Sequence, residues 1–346
     1  MMAYQRLTSS QIESDPKQQL RALTRKHRFL VAVDSDGCVA DNMNGKQILI
    51  FHPLYMEFYQ LWEIETYFRE VAEYYSLFSV HRGCNRFLAV LFSLRALSSR
   101  PDVKQVAASQ RVCLPPAQPV ENYINFAQDN QLGLGNPTLE KFLTTRPMDW
   151  HLHKLLGWSQ AVNRTFPFLE IPPFENVRQA LALMAEKADL IVVSQTPYED
   201  LANFWEKYNL TEYIQLIAGQ EMGSKADHIQ LARQAGDYSV DCVLMIGDAD
   251  GDRKAVKQNQ GFFYPVPPGQ EEQAWKNLPF FFEQFVQGLY GKEGEEKLVR
   301  EFSRVLLSSP PWEKADYDHI SAYREKQELR LNLYRRFHPG GRLKVI

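Results

Sequence analysis

Short apolar runs closed by aspartate, serine or glycine alternate with amphipathic stretches along much of this chain. Residues 29–33, Phe-Leu-Val-Ala-Val, run straight into Asp34, Ser35, Asp36 and Gly37. A run this short, apolar and closed by turn residues predicts a buried parallel strand ending in a loop. The same rhythm resumes after Pro172 and Pro173. A helical pattern over 174–187 precedes a strand at 190–193, a helix at 198–208 and a strand at 214–218. A helix at 224–234, a strand at 242–246, a short helix at 252–258 and a last strand at 262–264 follow. Strands alternating with helices of this length imply βαβ units, right-handed crossovers and a parallel sheet.

Between the first strand and the rest the texture changes. Residues 47–100 are aromatic and helical, chiefly over 55–75 and 84–97. Pro101, Pro115, Pro116, Pro119 and Pro137 interrupt the patchier stretch over 101–170, which still carries a helix at 150–158. The sheet is therefore built from discontinuous sequence. The expected fold class is α/β, a Rossmann-like parallel sheet core with an inserted, mainly helical domain. The expected boundaries are an N-terminal extension over 1–28, a core over 29–45 and 169–290, an insertion over 46–168 and a helical basic tail over 291–346. An insertion placed after the first strand hangs from the carboxyl edge of the sheet, where open parallel sheets bind ligands.

Composition changes this picture little. In 346 residues, 39 basic and 42 acidic side chains leave a net charge of −3, so no global field marks a nucleic-acid binder. Apolar stretches are far shorter than the roughly 20 residues that cross a bilayer. Residues 1–28 carry Glu13, Asp15, Lys17 and Arg21 and no apolar core of a signal peptide. Cys38, Cys84, Cys113 and Cys242 are widely spaced, which argues against a disulfide framework or a structural zinc site. The expectation is a cytoplasmic protein.

Four motifs fall at or just after the carboxyl ends of predicted strands. They are Asp34-Ser35-Asp36-Gly37, Ser194 after strand 190–193, Lys225 at a helix start, and the run from Gly247 to Asp252 with Asp248, Asp250 and Asp252. Several carboxylates with no apolar reason to meet suggest a hard cation held by oxygen ligands. Mg²⁺ is the obvious candidate, because it takes one or two carboxylates plus waters and substrate phosphate. Two like charges about 4 Å apart cost about 4 kcal/mol at an effective dielectric of 20, so such a pocket needs a cation and Lys225.

The segments VAVDSDG, IVVSQTP, GSKADH and IGDADGD resemble, in order and spacing, the motifs of the haloacid dehalogenase-like hydrolase superfamily. The helical insertion looks like that superfamily's cap domain. The resemblance covers about residues 27–45 and 169–290. It implies a Mg²⁺-dependent phosphohydrolase that acts on a small phosphate monoester. Asp34 would form an aspartyl-phosphate and Asp36 would serve as general acid and base. Ser194 would hydrogen-bond the phosphoryl group, and Lys225 would neutralise it and orient Asp34. Asp248 would bind the metal with Asp34 and the backbone carbonyl of Asp36, and Asp252 would support the metal's waters or Lys225. An acid at Asp36 separates phosphate chemistry from dehalogenation, since a halide leaves without a proton. Departures from the pattern are Cys38, the Gln195 after Ser194, which keeps Thr196 as a second hydroxyl candidate, and the long N-terminal extension. Asp250 reads as a turn residue.

Within the insertion, His81, Arg82, Gly83, Cys84, Asn85 and Arg86 gather at a helix start, where arginines and backbone amides can hold an anion. Arg82, Asn85 and Arg86 are the candidate substrate-binding residues, with Asn44, Lys46 and His52 behind them. The aromatic stretch over 51–78 reads as cap core. From Arg324 onward there are seven basic residues against two acidic ones, a surface for a partner if one exists. A small phosphorylated metabolite is the expected partner, and neither membrane nor nucleic acid is. The sequence leaves open a phosphomutase of the same superfamily, a non-catalytic binding protein using the cap or the basic tail, and the oligomeric state.

Overall fold

A computed structural model describes residues 4–337. Five strands form one parallel sheet: β1 (Phe29–Val33), β2 (Ala188–Val193), β3 (Leu216–Ala218), β4 (Val243–Gly247) and β5 (Phe262–Pro265). Their order is β3-β2-β1-β4-β5. Every residue of β1, β2, β3 and β4 is buried, as expected of a parallel sheet covered on both faces. Register is set by pairs such as Val31 with Leu190 and Leu244, and Ile246 with Tyr264. The winding direction reverses between β1 and β4, and crevices at such a point bind ligands.

The chain divides into two compact units. One comprises the described residues up to Asn42 together with Pro172–Leu306, and the other Met43–Ile171 with the described residues from Leu307 on. In the sheet unit, helix Val177–Ala185 packs on β2 and on helix Glu271–Val286. Helix Lys225–Ala235 packs on helix Asp250–Gln258. Trp205, Trp275, Tyr198 and Phe282 are fully enclosed, and each buried large apolar side chain contributes roughly 1.5–3 kcal/mol.

The N-terminal extension belongs to this unit. Gln19 donates to Ile217 O at 2.5 Å, and buried Asp189 accepts from the Lys26 and His27 amides at 2.8 and 2.9 Å. The tail expected over 291–346 is instead two segments. Helix Gly291–Val305 packs on β5, where Glu295 accepts from Phe263 N at 2.8 Å. From Leu307 the chain joins the helical unit, because Leu307 pairs with Phe78 and Val80 through backbone bonds of 2.9 and 3.1 Å.

The helical unit holds helices His52–Tyr59, Glu65–Glu73, Arg86–Ser99, Pro101–Ser109, Gln118–Asp129, Asn136–Thr145, Trp150–Thr165 and His319–Phe337. The helix expected over 55–75 is broken. Gln60 takes a left-handed conformation (φ 55°) and ends the first piece. Wide π-helical turns lie at Gln47–Phe51 and Tyr74–Phe78.

The aromatic stretch is indeed core, with Tyr55, Phe68, Tyr123 and Trp158 buried. The last helix is fixed by a partly buried ion pair: Arg330 spans both oxygens of Glu73 at 2.7 and 3.0 Å. Glu70 accepts from Arg100, Tyr317 and His319. Part of the basic tail is thus internal packing; its residues 338–346 lie outside those described. Among the described residues no helix is long and apolar enough to cross a membrane.

Candidate active site

Four loops leave the carboxyl edge of the sheet. Asp34 is the first residue past β1, and its amide still donates to Ile246 O of β4 at 2.9 Å, so its position continues the sheet's own ladder. The loop behind it is pinned from the core. Trp205 donates to Ser35 Oγ at 3.1 Å and Trp275 to Cys38 O at 2.7 Å. The Phe174 amide donates to Val39 O at 2.9 Å. Gly37 turns the chain at φ 81°, in the left-handed region that favours glycine. Its amide donates to Asn42 Oδ1 at 2.7 Å. Cys38 is fully buried beneath the loop, where burial and then Asp34 push its thiol up.

The carboxylate of Asp36 accepts at Oδ1 from Asn42 Nδ2 and at Oδ2 from the Thr196 hydroxyl at 2.9 Å. Ser194 is buried just past β2; its amide donates to Ala218 O at 3.0 Å and its Oγ accepts from the Thr196 amide at 3.3 Å. The two hydroxyls of this loop therefore face different partners. Gln195 ties the same loop to the next through Gly223 O, 3.0 Å away.

Lys225 opens its helix behind a capping box made by Ser224 and Asp227. Its ammonium stands 2.9 Å from Asp34 Oδ1 and 2.6 Å from Asp252 Oδ1. Asp252 is itself held by the Ala249 amide at 3.0 Å. The chain can approach so closely because residue 247 is glycine: a Cβ there would come within 2.4 Å of Asp252 Oδ2.

Burial opposes the charge of Lys225, but Asp252 and Asp34 outweigh it and hold the ammonium protonated. Burial raises the Asp252 carboxyl above its ordinary range, with Lys225 opposing and Asp34 adding. Asp250 faces away from this cluster, paired with Arg253 and Lys254 at 2.7 and 2.8 Å.

One oxygen from each of Asp34, Asp248 and Asp252 lies within 4.8 Å of the other two, and all three residues are buried. Opposed ligands on a cation bound at about 2.1 Å stand roughly 4.2 Å apart, so small inward shifts would close this set on a hard divalent ion. Three buried carboxylates against one ammonium leave net negative charge, and like charges at such distances repel by several kcal/mol without a counter-ion. The residues fit such a cation.

Asp34, Lys225, Asp248 and Asp252 are thus in direct proximity, and Asp36 and Ser194 share the same sheet edge. Arg82, Asn85 and Arg86 belong to the helical unit. Arg82 is buried and donates to Leu77 O at 3.2 Å. Asn85 caps its helix through the Phe87 amide and donates to Leu134 O at 3.0 Å. Arg86 donates to Ser159 Oγ and Asn163 at 3.1 and 2.7 Å. Lys46 lies over the Phe166 ring. Asn42 is the site-edge residue that sequence reasoning missed. Its only signal is an amide six residues after Asp36, in a loop where such residues commonly cap turns.

No family model matches the chain, and no match to a curated protein was found. Among solved structures, a haloacid dehalogenase-like family hydrolase from Xanthomonas campestris is 12% identical with a TM-score of 0.42, over 81% of this chain and 98% of that one. A haloacid dehalogenase-like family protein from Streptococcus pneumoniae is 12% identical (TM-score 0.37, 72% and 90%). A superfamily hydrolase of subfamily IA from Geobacter sulfurreducens is 10% identical (TM-score 0.38, 74% and 100%). These similar structures name the superfamily that the four motifs resemble, and at such identities and scores they carry nothing about what this chain does.

Proposed function

We propose that the chain is a divalent-cation-dependent phosphohydrolase acting on a small phosphate monoester, with Asp34 as nucleophile. The observation that carries this reading is partly buried Lys225 bridging the buried carboxylates of Asp34 and Asp252 beside Asp248, at the point where the sheet reverses its winding. Phosphoryl transfer needs little from a protein beyond position and offset charge, and this cluster supplies both.

In the proposed reaction an oxygen of Asp34 attacks phosphorus and the ester bond breaks. The departing alkoxide takes a proton from Asp36. Asp36, now a carboxylate, removes a proton from water, which attacks phosphorus and breaks the bond to Asp34. Phosphate leaves and Asp34 regains its carboxylate. Ser194 donates to a phosphoryl oxygen, and Lys225 keeps the attacking oxygen of Asp34 oriented and balances the charge of the dianion. Asp34, Asp248 and the backbone carbonyl of Asp36 would hold Mg²⁺, with Asp252 supporting its waters. Bound there, the ion would neutralise phosphoryl charge. Arg82, Asn85 and Arg86 are proposed as the substrate contacts of the helical unit.

The test is release of phosphate from an aryl phosphate by the wild type and Asp34→Asn, each with Mg²⁺ and with chelator. Release that needs the cation and disappears in the variant supports the reading. Unaltered release by Asp34→Asn would overturn it.

A further inference from the structure

Helix Tyr198–Lys207 opens two residues after Thr196, and its cap residue, Pro197, has no side-chain acceptor for the first amide. The acceptor comes instead from 23 residues further on. Both carboxylate oxygens of Glu221 take the Tyr198 amide, at 3.2 and 3.0 Å. A carboxylate is favoured there, because a helix start carries partial positive charge. Glu221 sits in the single turn Gln220–Met222, between β3 and Lys225. The neighbouring Gln220 amide donates to Thr196 O at 3.1 Å, so two successive residues grip the loop that follows β2. Glycine at 219 lets the loops close on each other. A Cβ there would meet the Tyr198 nitrogen at 2.7 Å and Glu221 Oε2 at 2.8 Å.

This clasp reaches Asp36 through stiff links. Pro197 has its φ fixed by its ring, here at −53°, and a proline also keeps the residue before it out of helical backbone. Tyr198 cannot swing to absorb a shift. It is fully buried, and its hydroxyl accepts from the Leu7 amide at 2.7 Å and lies 3.2 Å from the Tyr4 hydroxyl. The place of the Tyr198 amide therefore governs the place of the Thr196 hydroxyl, which donates to Asp36 Oδ2 at 2.9 Å.

We propose that Glu221 is a positioning residue for the proton-transfer step. By holding the Tyr198 amide it aims the Thr196 hydroxyl at Asp36, without itself touching substrate. Its consequence for turnover rests on the phosphohydrolase reading, whereas the coupling to Asp36 is testable with no turnover at all.

The experiment compares Glu221→Ala, Glu221→Gln, Thr196→Val and the double variant Glu221→Ala/Thr196→Val in the full chain. Glu221 is exposed, so these changes at 221 remove nothing from the core. On an alkyl phosphate, Glu221→Ala is expected to lower kcat about tenfold with KM unchanged. Glu221→Gln, whose amide oxygen still accepts, should keep most of the rate. The double variant should be no slower than Thr196→Val, because both changes act on one hydrogen bond. Losses that multiply would overturn the proposal and leave Glu221 a helix cap only. The second readout is the carboxyl carbon resonance of Asp36 at pH 7. It should move in Glu221→Ala in the same direction as in Thr196→Val and stay near its wild-type position in Glu221→Gln. An Asp36 resonance unmoved by Glu221→Ala would equally overturn the proposal. If Asp34→Asn leaves hydrolysis unaltered, the phosphohydrolase reading fails by itself and this resonance alone decides the coupling.

Discussion

The Thr196 hydroxyl donates to Asp36 Oδ2 at 2.9 Å, and Asn42 grips the other oxygen of the same carboxylate. The proposed acid and base is thereby aimed by two side chains that need not touch the substrate. Thr196→Val and Asn42→Ala should each slow hydrolysis of an alkyl phosphate about ten- to a hundredfold, because the alkoxide needs its proton. An aryl phosphate with a good leaving group should be far less affected. Equal losses on both substrates would show that these residues serve some other step.

Lys225 should matter to stability as well as turnover. Replacing it with Met removes the cation that offsets Asp34 and Asp252, and breaking a buried pair of this kind costs about 3–5 kcal/mol. Urea midpoints in chelator should fall accordingly. Added Mg²⁺ should recover more stability in Lys225→Met than in wild type, since the ion then meets the larger uncompensated charge. A variant as stable as wild type in chelator would contradict the charge account.

His228 is fully buried, chiefly for that reason and then because of Lys225 its ring is held down to about 4. The unfolded chain protonates it near pH 6.5 and the folded chain only near 4. The unfolded state therefore binds more protons in that window, and stability falls as pH drops from about 6.5 to about 4. The full effect is about 3 kcal/mol. His228→Leu should lose less stability than wild type between pH 7 and 4.5, as measured by urea unfolding at both values. Parallel losses would remove His228 from the account.

The last helix should release in acid. Burial works against the charge of Glu70, but hydrogen bonds from His319 and Tyr317 and the Arg100 guanidinium outweigh it and keep the carboxyl below its ordinary range. A depressed carboxyl stabilises above its unfolded value of about 4.3 and loses that contribution as pH falls through the folded one. Hydrogen exchange in His319–Phe337 should accelerate below about pH 4, and Glu70→Gln should show fast exchange there already at pH 7. Slow exchange in that variant would place the anchorage elsewhere, at Glu73 and Arg330.

The strands were legible because a run such as Phe29–Val33 is buried on both faces and has no polar residue until Asp34. The motif residues were legible because they stand where such runs stop. What the sequence hid depends on partners distant along the chain. Arg330 reads as part of an exposed basic tail until Glu73, 257 residues away, is seen to receive it. His52 reads as a lesser candidate for substrate contact until Ser76, 24 residues on, is seen beside it inside the helical core. Asn42 has no pattern of its own. The break at Gln60 escaped because the apolar spacing continues on either side of it.

The most direct measurement is rapid acid quenching of the enzyme during turnover with Mg²⁺, followed by mass analysis of its peptides. The account predicts a phosphoryl group on the peptide carrying Asp34, labile to hydroxylamine, enriched in Asp36→Asn and missing in Asp34→Asn. Steady turnover with no phosphoryl group on that peptide, or with one elsewhere, would contradict it.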